Sequence, residues 1–240
     1  MKTTLFRASS RGHANHGWLD ARHTFSFANY YDPNRIHFGA LRVVNDDIIA
    51  GGKGFGTHPH DNMEIVTIPL YGDLEHKDSM GHGEVIKAGE VQVMSAGSGI
   101  THSEYNANKE KPVNLFQIWV FPDMKDVEPR YDQRGFDYID NKNQLVQIVG
   151  PKNDVDNNGL WIHQSAWFSI GTFDKGAEIE YKVKKQGNGV FAMVVEGEFT
   201  IGGEKLHHRD ALGLSETDNV KFTADTDNAR ILLIDVPMIF

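Results

Sequence analysis

The sequence predicts an all-β protein built as two β-barrels in tandem. Three observations carry that reading. Short segments rich in Val, Ile, Phe and Tyr recur along the chain, punctuated by Gly or Asp turns. No window shows a sustained helical period. A third sign is a repeat: an apolar strand, a turn glycine and a strand of alternating polarity occur from Glu64 to Glu75 and again from Gly189 to Thr200. Aligning Gly72 with Gly197 sets the copies 125 residues apart (197 − 72), about half of the 240-residue chain, as a duplicated domain requires.

In chain order, strands are expected at residues 40–44, 64–69, 73–78, 90–94, 114–121, 144–149, 178–184, 191–196, 198–201, 221–224 and 230–235. The second is the apolar run before Gly72, and the third alternates in polarity after it. In 114–121 alternation puts Gln117 and Trp119 on one face. Residues 178–184, Glu-Ile-Glu-Tyr-Lys-Val-Lys, alternate strictly, as a half-buried strand does. The runs 191–196 and 198–201 repeat the second and third strands around Gly197. The polar stretch 122–143, with Lys125, Asp126, Glu128-Pro129-Arg130 and Asp140-Asn141-Lys142-Asn143, is the expected seam. It divides the chain into domains at 1–140 and 141–240.

Composition removes several function classes. A net charge of −9 argues against nucleic acid or anionic membrane as a direct partner. The absence of cysteine excludes disulfides, thiolate metal sites and cysteine nucleophiles. Any metal must therefore be held by His, Asp or Glu, which suits Fe, Mn, Co, Ni, Cu or Zn. The first residues, Met1 to Arg7, lack the apolar stretch of a secretory signal. With no run of about 18 apolar residues to cross a membrane, the expected compartment is the cytoplasm.

Chemistry enters with His58-Pro59-His60 and His102-Ser103-Glu104. Residues i and i+2 of a strand share a face. Two such strands side by side aim three imidazoles and one carboxylate at a point, which makes a metal centre. Glu64 has the same parity as His60 but lies roughly 13 Å further along a straight strand, so it ligates only if Asp61-Asn62 bends the chain back. Failing that, it can orient a histidine from behind. By the 125-residue offset, Val183 stands opposite His58, Lys185 opposite His60 and Gly189 opposite Glu64, so one metal per chain is expected.

Other polar residues read more quietly. His13, His16, His23 and His37 lie in an Asn-, Gly- and Arg-rich stretch and are expected to make loop or strand-end hydrogen bonds. His207-His208 is expected to face solvent. His76 and Asp78 share a strand face, either towards the cavity or towards water, and are not expected as ligands. Gln117, Trp119, Met94, Phe27 and Trp18 are candidates for an apolar cavity wall or for the barrel core.

The window Gly52-x5-His58-x-His60-x3-Glu64 resembles the first cupin signature, with its glycine, Gly72, one residue late. Gly89-x5-Ser95-Ala96-Gly97 followed by His102 resembles the second, with Ser95 in place of the usual proline and the histidine two residues late. The longer set resembles the pirin family of bicupins, densely over residues 3–134. It includes Gly12-His13-Ala14-Asn15-His16-Gly17-Trp18-Leu19, His23-Thr24-Phe25-Ser26-Phe27, Thr57-His58-Pro59-His60, Leu74-Glu75-His76-Lys77-Asp78-Ser79, Gln92 through Tyr105 and Glu128-Pro129-Arg130-Tyr131.

The resemblance implies two jelly-roll-like cupin barrels with one metal in the first. It implies the ligands His58, His60, His102 and Glu104, and favours Glu104 over Glu64. It also implies one divalent ion per chain, Fe2+ first and Mn, Co, Ni, Cu or Zn as alternatives. The activity implied is that of a quercetin 2,3-dioxygenase, the oxygenolytic opening of a flavonol ring. Three histidines and a carboxylate leave open positions, which favours catalysis over a structural metal. In the expected reaction Glu104 takes the proton of the flavonol 3-hydroxyl, the electron-rich flavonolate reacts with dioxygen, and ring opening releases carbon monoxide and a depside. The alternative implied by the family is a non-enzymatic, redox-responsive metal-binding regulator with a protein partner. Another cupin activity, isomerase or hydrolase, is a weaker option.

Overall fold

The computed structural model describes residues 1–154 and 156–240. The described residues form twenty-two strands and one 3-10 turn (Ala8–Ser10), with no α-helix among them. The first half contains β1 (Lys2–Phe6), β2 (Gly12–Asn15), β3 (Leu19–His23), β4 (Leu41–Ile49), β5 (Gly54–His60) and β6 (Glu64–Tyr71). It continues with β7 (Asp73–Asp78), β8 (Gly83–Lys87), β9 (Glu90–Ser95), β10 (Ile100–Asn106), β11 (Val113–Val120) and β12 (Arg130–Gly135). The second half contains β13 (Val146–Pro151), β14 (Leu160–Ile162), β15 (Trp167–Phe173), β16 (Glu178–Lys182) and β17 (Asn188–Glu196). It ends with β18 (Phe199–Ile201), β19 (Glu204–Leu206), β20 (Ala211–Ser215), β21 (Asn219–Ala224) and β22 (Ala229–Pro237).

Strand order repeats between the halves. One four-stranded sheet runs β5-β10-β7-β8 and the other β16-β21-β18-β19. The seven-stranded sheets run β12-β9-β6-β11-β4-β3-β2 and β1-β20-β17-β22-β15-β13-β14. Each half is thus a jelly-roll of a large and a small sheet, antiparallel except where β13 and β14 pair in parallel, and the whole is the all-β bicupin that the sequence predicts. Gly72 and Gly197 both turn with positive φ, +75° and +74°, between corresponding strands. One exchange breaks the repeat: β1 pairs with β20, so the first strand of the chain lies at the edge of the second large sheet. Its counterpart at the edge of the first is β12, which pairs with β9.

The two large sheets meet face to face over one apolar cluster. Val66, Ile68, Phe116 and Ile118 from the first sheet pack with Phe168, Ile170, Phe191, Leu232 and Ile234 from the second. Strand β17 is buried on both faces: Phe191, Met193 and Val195 enter this shared core, while Val190, Ala192 and Val194 enter the second barrel. That is why it reads as a continuous apolar run rather than an alternating one. Burying each such aliphatic or aromatic side chain stabilises the fold by about 1.5–3 kcal/mol.

The barrel interiors differ. The second is filled by one continuous cluster that includes Phe173, Tyr181, Val220 and Phe222. The first is split into a cluster around Leu19, Ile49, Leu74 and Leu115 and another of Ile65, Met94, Ala96 and Ile100. Register shows which residues of the second barrel stand where the candidate metal residues of the first do. His102 faces His58 across β10 and β5, and Glu104 faces His76 across β10 and β7. In the second barrel Val220 faces Tyr181, and Phe222 faces Ile201. Tyr181, not Val183, therefore stands where His58 does, because β16 sits two residues out of step with the offset set at Gly72. Every residue at these positions is apolar or aromatic.

Several strands escape a reading of the sequence. Residues before 40 are not loop alone but include β1, β2 and β3, held by backbone pairing rather than by an apolar pattern. Strand β15 is buried at every position, yet Ser169, Gly171 and Thr172 break its apolar signal. The polar seam contains an ordered strand, β12.

The shared turn is testable. A Cβ at Gly72 would lie 3.0 Å from the carbonyl of Pro112, and one at Gly197 would run into Thr226 and Ala229. Gly72→Ala and Gly197→Ala are each expected to cost about 1–3 kcal/mol in urea unfolding, from positive φ and contact together.

Candidate metal centre

Strands β5 and β10 are antiparallel neighbours, with His102 opposite His58 and Ile100 opposite His60. The i, i+2 spacing brings His60 to the same face. The three rings converge, with centroids 4.5 Å apart for His58–His102 and 4.8 Å for both His58–His60 and His60–His102. One ring nitrogen from each lies within 4.8 Å of the others. Nδ1 of His58 donates to the Gly56 carbonyl at 2.8 Å, which leaves its Nε2 as a free lone pair. Nε2 of His60 and of His102 are buried and have no hydrogen-bond partner. Buried polar atoms are ordinarily paired, so free imidazole nitrogens facing one another fit a metal ion.

Two of these histidines, His60 and His102, are also held neutral. Burial and the neighbouring His58 lower His60 to about 4, and the same causes push His102 far below the usual imidazole range. Neutral imidazole is the ligating form.

Glu104 follows a register shift between His102 and Glu104 and is 3% exposed. Both its oxygens accept from Nε2 of Gln117, at 3.2 and 3.1 Å, while Oε1 of Gln117 accepts from the Trp119 indole at 3.3 Å. Burial raises its carboxyl to about 7, against the lowering effect of Gln117 and Thr67. Glu104 gathers with His102 and His76 within 4.8 Å, but it does not close to that distance on His58 and His60 together.

Glu64 lies elsewhere. The chain turns at Asn62, with φ +45°, and enters the large sheet, where Glu64 pairs with Ser95 and Val120. Its carboxylate accepts from Ser95 Oγ at 2.7 Å, and the backbone of His163 and the charge of Arg130 also act on it. The bend therefore carries Glu64 away from the imidazoles, and none of these partners is a histidine ring. Ser95, which stands where the cupin signature has proline, supplies its hydrogen bond.

A cavity of about 430 Å3 opens in front of the cluster. Trp18, Phe27, Phe55 and Trp119 supply flat apolar walls, with Gln117, Glu104, His58 and His60 among the polar groups. That size and lining suit a small aromatic ligand. Met94 instead packs beneath the site with Ile65 and Ile100. A larger cleft of about 690 Å3, lined by Arg130, Lys152 and Trp161, opens at the seam and contains none of the three clustered histidines.

One group escapes a reading of the sequence, and one pair gains its side only from the structure. Asp47 lines the cavity, is 5% exposed, and has one carboxyl oxygen without a partner. Burial, with Asp46 and Glu104 nearby, raises its carboxyl well above the usual range. The signal was Asn45-Asp46-Asp47 set between Val44 and Ile48, three polar residues inside an apolar strand. His76 and Asp78 turn out to be fully buried at their side chains. Of the quieter histidines, His13 meets Asp20, His23 meets Asn45, His37 meets the Gly39 carbonyl, and His207 and His208 are exposed, while His16 is held through its backbone N–H to the Leu19 carbonyl.

Comparison with known proteins agrees with this geometry. The Pirin family profile matches residues 5–120, and that of the quercetinase C-terminal cupin domain matches residues 147–236. The chain is 46% identical to a quercetin 2,3-dioxygenase of Escherichia coli K12 over 97% of its own length and 98% of the relative's. It is 39% identical to a pirin-like protein of Caulobacter vibrioides over 93% of its length and 95% of the relative's. The crystal structure of the bacterial pirin YhhW of Escherichia coli in complex with nickel(II) superposes with a TM-score of 0.92 at 43% identity, covering 98% of this chain and 99% of that one.

Glu64 offers a test away from the metal chemistry. Burial raises its folded carboxyl to about 7, whereas the unfolded value is 4.5. Between these values the folded state keeps a proton that the unfolded state has released, so stability falls as pH rises through that window. Glu64→Gln removes the effect. Measured by urea unfolding, the wild type is expected to lose up to about 3 kcal/mol relative to the variant between pH 4.5 and 8.

Proposed function

The chain belongs to the pirin family, and we propose that it is a metal-dependent dioxygenase that opens the heterocyclic ring of a flavonol-like substrate and releases carbon monoxide. The observation that carries this reading is the cluster of three imidazoles, of which His58 and His60 line an aromatic-walled cavity together with Glu104. In this reading His58, His60, His102 and Glu104 hold one divalent ion, Fe2+ in the native protein. The substrates are dioxygen and a quercetin-like aromatic, and the compartment is the cytoplasm. The metal domain covers residues 1–140 and the ligand-free domain 141–240, with β1 lent to the second.

Such an ion supplies Lewis-acid activation of the substrate hydroxyl and a template for two reactants. The rest falls to the chain. Trp18, Phe27, Phe55 and Trp119 clamp a flat ring system and exclude water. Gln117 fixes the plane of Glu104 by its two contacts. A buried carboxylate beside the ion is the group placed to take the 3-hydroxyl proton. In the balanced reaction both dioxygen atoms enter the depside ester, two carbon–carbon bonds break, and the intervening carbon leaves as carbon monoxide. The cavity favours this reading over a purely regulatory metal site, which has no need of an aromatic-walled cavity beside it.

The test is anaerobic loading with Fe(II), or separately Ni(II), followed by quercetin and oxygen with detection of carbon monoxide. Release equimolar with quercetin consumed is expected, and no release with any first-row divalent ion would reject the proposal. His58→Ala is expected to lose the metal and turnover together. Glu104→Gln is expected to lower kcat by about 10²-fold or more, the scale of a lost general base.

A further inference from the structure

Behind the three imidazoles lies a second line of polar groups on the same inner face of the small sheet. Cross-strand pairing sets His102 opposite Asp78 and Glu104 opposite His76. His76 and Asp78 have fully buried side chains. Oδ2 of Asp78 accepts from Nε2 of His76 at 3.2 Å and from Nδ1 of His82 at 2.9 Å. Oδ1 of Asp78 accepts from the backbone N–H of Met80 and of His82, at 2.9 and 3.1 Å. On its other side, Nδ1 of His76 lies 3.4 Å from Nδ1 of His102. Tyr131 stacks over both His76 and His82, with centroids 4.6 and 4.9 Å away and planes within 26° and 24°.

Proton counting orders this chain. An ionised carboxylate only accepts, so His76 must carry its proton on Nε2. A neutral His76 then has a bare Nδ1, which can only accept. The 3.4 Å contact therefore requires the proton of His102 on Nδ1. That leaves Nε2 of His102 as the lone pair, and it is the buried atom without a hydrogen-bond partner beside His58 and His60. Two protons on His76 would place a charge in a fully buried position among other imidazoles.

We propose that His76 and Asp78 are positioning residues, a hydrogen-bond relay that fixes the tautomer and plane of His102 and presents its Nε2 to the metal, with Tyr131 holding the His76 ring in register. The proposal rests on the reading of His102 as a ligand. Hydrogen-bonded partners of ligating histidines commonly fix the tautomer and raise the basicity of the ligand. Here the carboxylate acts through a second imidazole rather than directly. His58 receives the equivalent orientation from the Gly56 carbonyl.

The test uses full-length protein and two readouts besides turnover. Nitrogen-15 NMR of the metal-free wild type is expected to show His102 as the Nδ1–H tautomer, and His76→Phe is expected to give a mixture. His76→Phe keeps an aromatic ring under Tyr131 but can neither donate nor accept. Ni(II) affinity, measured by competition with a chromophoric chelator, is expected to fall about 10–100-fold in this variant. His76→Gln, which can accept from His102 and donate to Asp78, is expected to recover most of that loss. Circular dichroism and a thermal melt establish that each variant is folded. An Nε2–H tautomer at His102 in the wild type overturns the relay, as does a folded His76→Phe that binds Ni(II) like the wild type. If the wild type binds no Ni(II), the metal reading of the preceding subsection falls, while the tautomer measurement still decides the relay.

Discussion

The pairing of β5 with β10 is the constraint on which the site depends. It sets His102 opposite His58, and strand geometry brings His60 to the same face. A slip of one residue would send His102 to the other face of the small sheet. The register is fixed from both sides. Ile100 is anchored in the apolar cluster below the site, and β7 pairs with the far edge of β10. The aromatic cavity, the bidentate hold of Gln117 on Glu104 and the polar line behind His102 all follow from that alignment.

The two barrels show what such a site requires of its surroundings. They share strand order, yet one is packed solid and the other is divided around polar groups. Buried imidazoles without partners and carboxyls raised by burial oppose folding. The apolar cluster between the large sheets and the filled second barrel stabilise the same chain. The second barrel thus has a physical role: it covers one face of the large sheet whose other face lines the site.

Much of this was legible in the sequence, for reasons that differ by residue. His58, His60 and His102 were readable because strand parity is a local rule. The duplication was readable because a turn with positive φ demands glycine at 72 and again at 197. Glu64 had correct parity but the wrong sheet, since the turn at Asn62 ends one strand and starts another, and parity does not survive a change of sheet. The positions that replace the ligands in the second barrel were misplaced by two residues, because an offset fixed at one turn need not hold for a strand on the far side of the sheet. His76 and Asp78 could not be assigned a side without knowing that β10 lies beside β7. Strand β1 was invisible because four of its five residues are exposed or half-buried and its partner lies at the other end of the chain.

That last pairing joins sequence positions that are almost as far apart as the chain allows. Lys2 to Phe6 are made long before their partner, Ala211 to Ser215. Until β20 is made, β1 lacks its partner strand. Closing so long a loop is entropically costly and slow. The two barrels are therefore not separable modules in the order of translation. A cut at the seam would strip the second large sheet of an edge strand and leave β1 an unpaired strand at the start of the first piece. One edge strand thus ties the order of assembly of the second large sheet to a segment made before the first barrel.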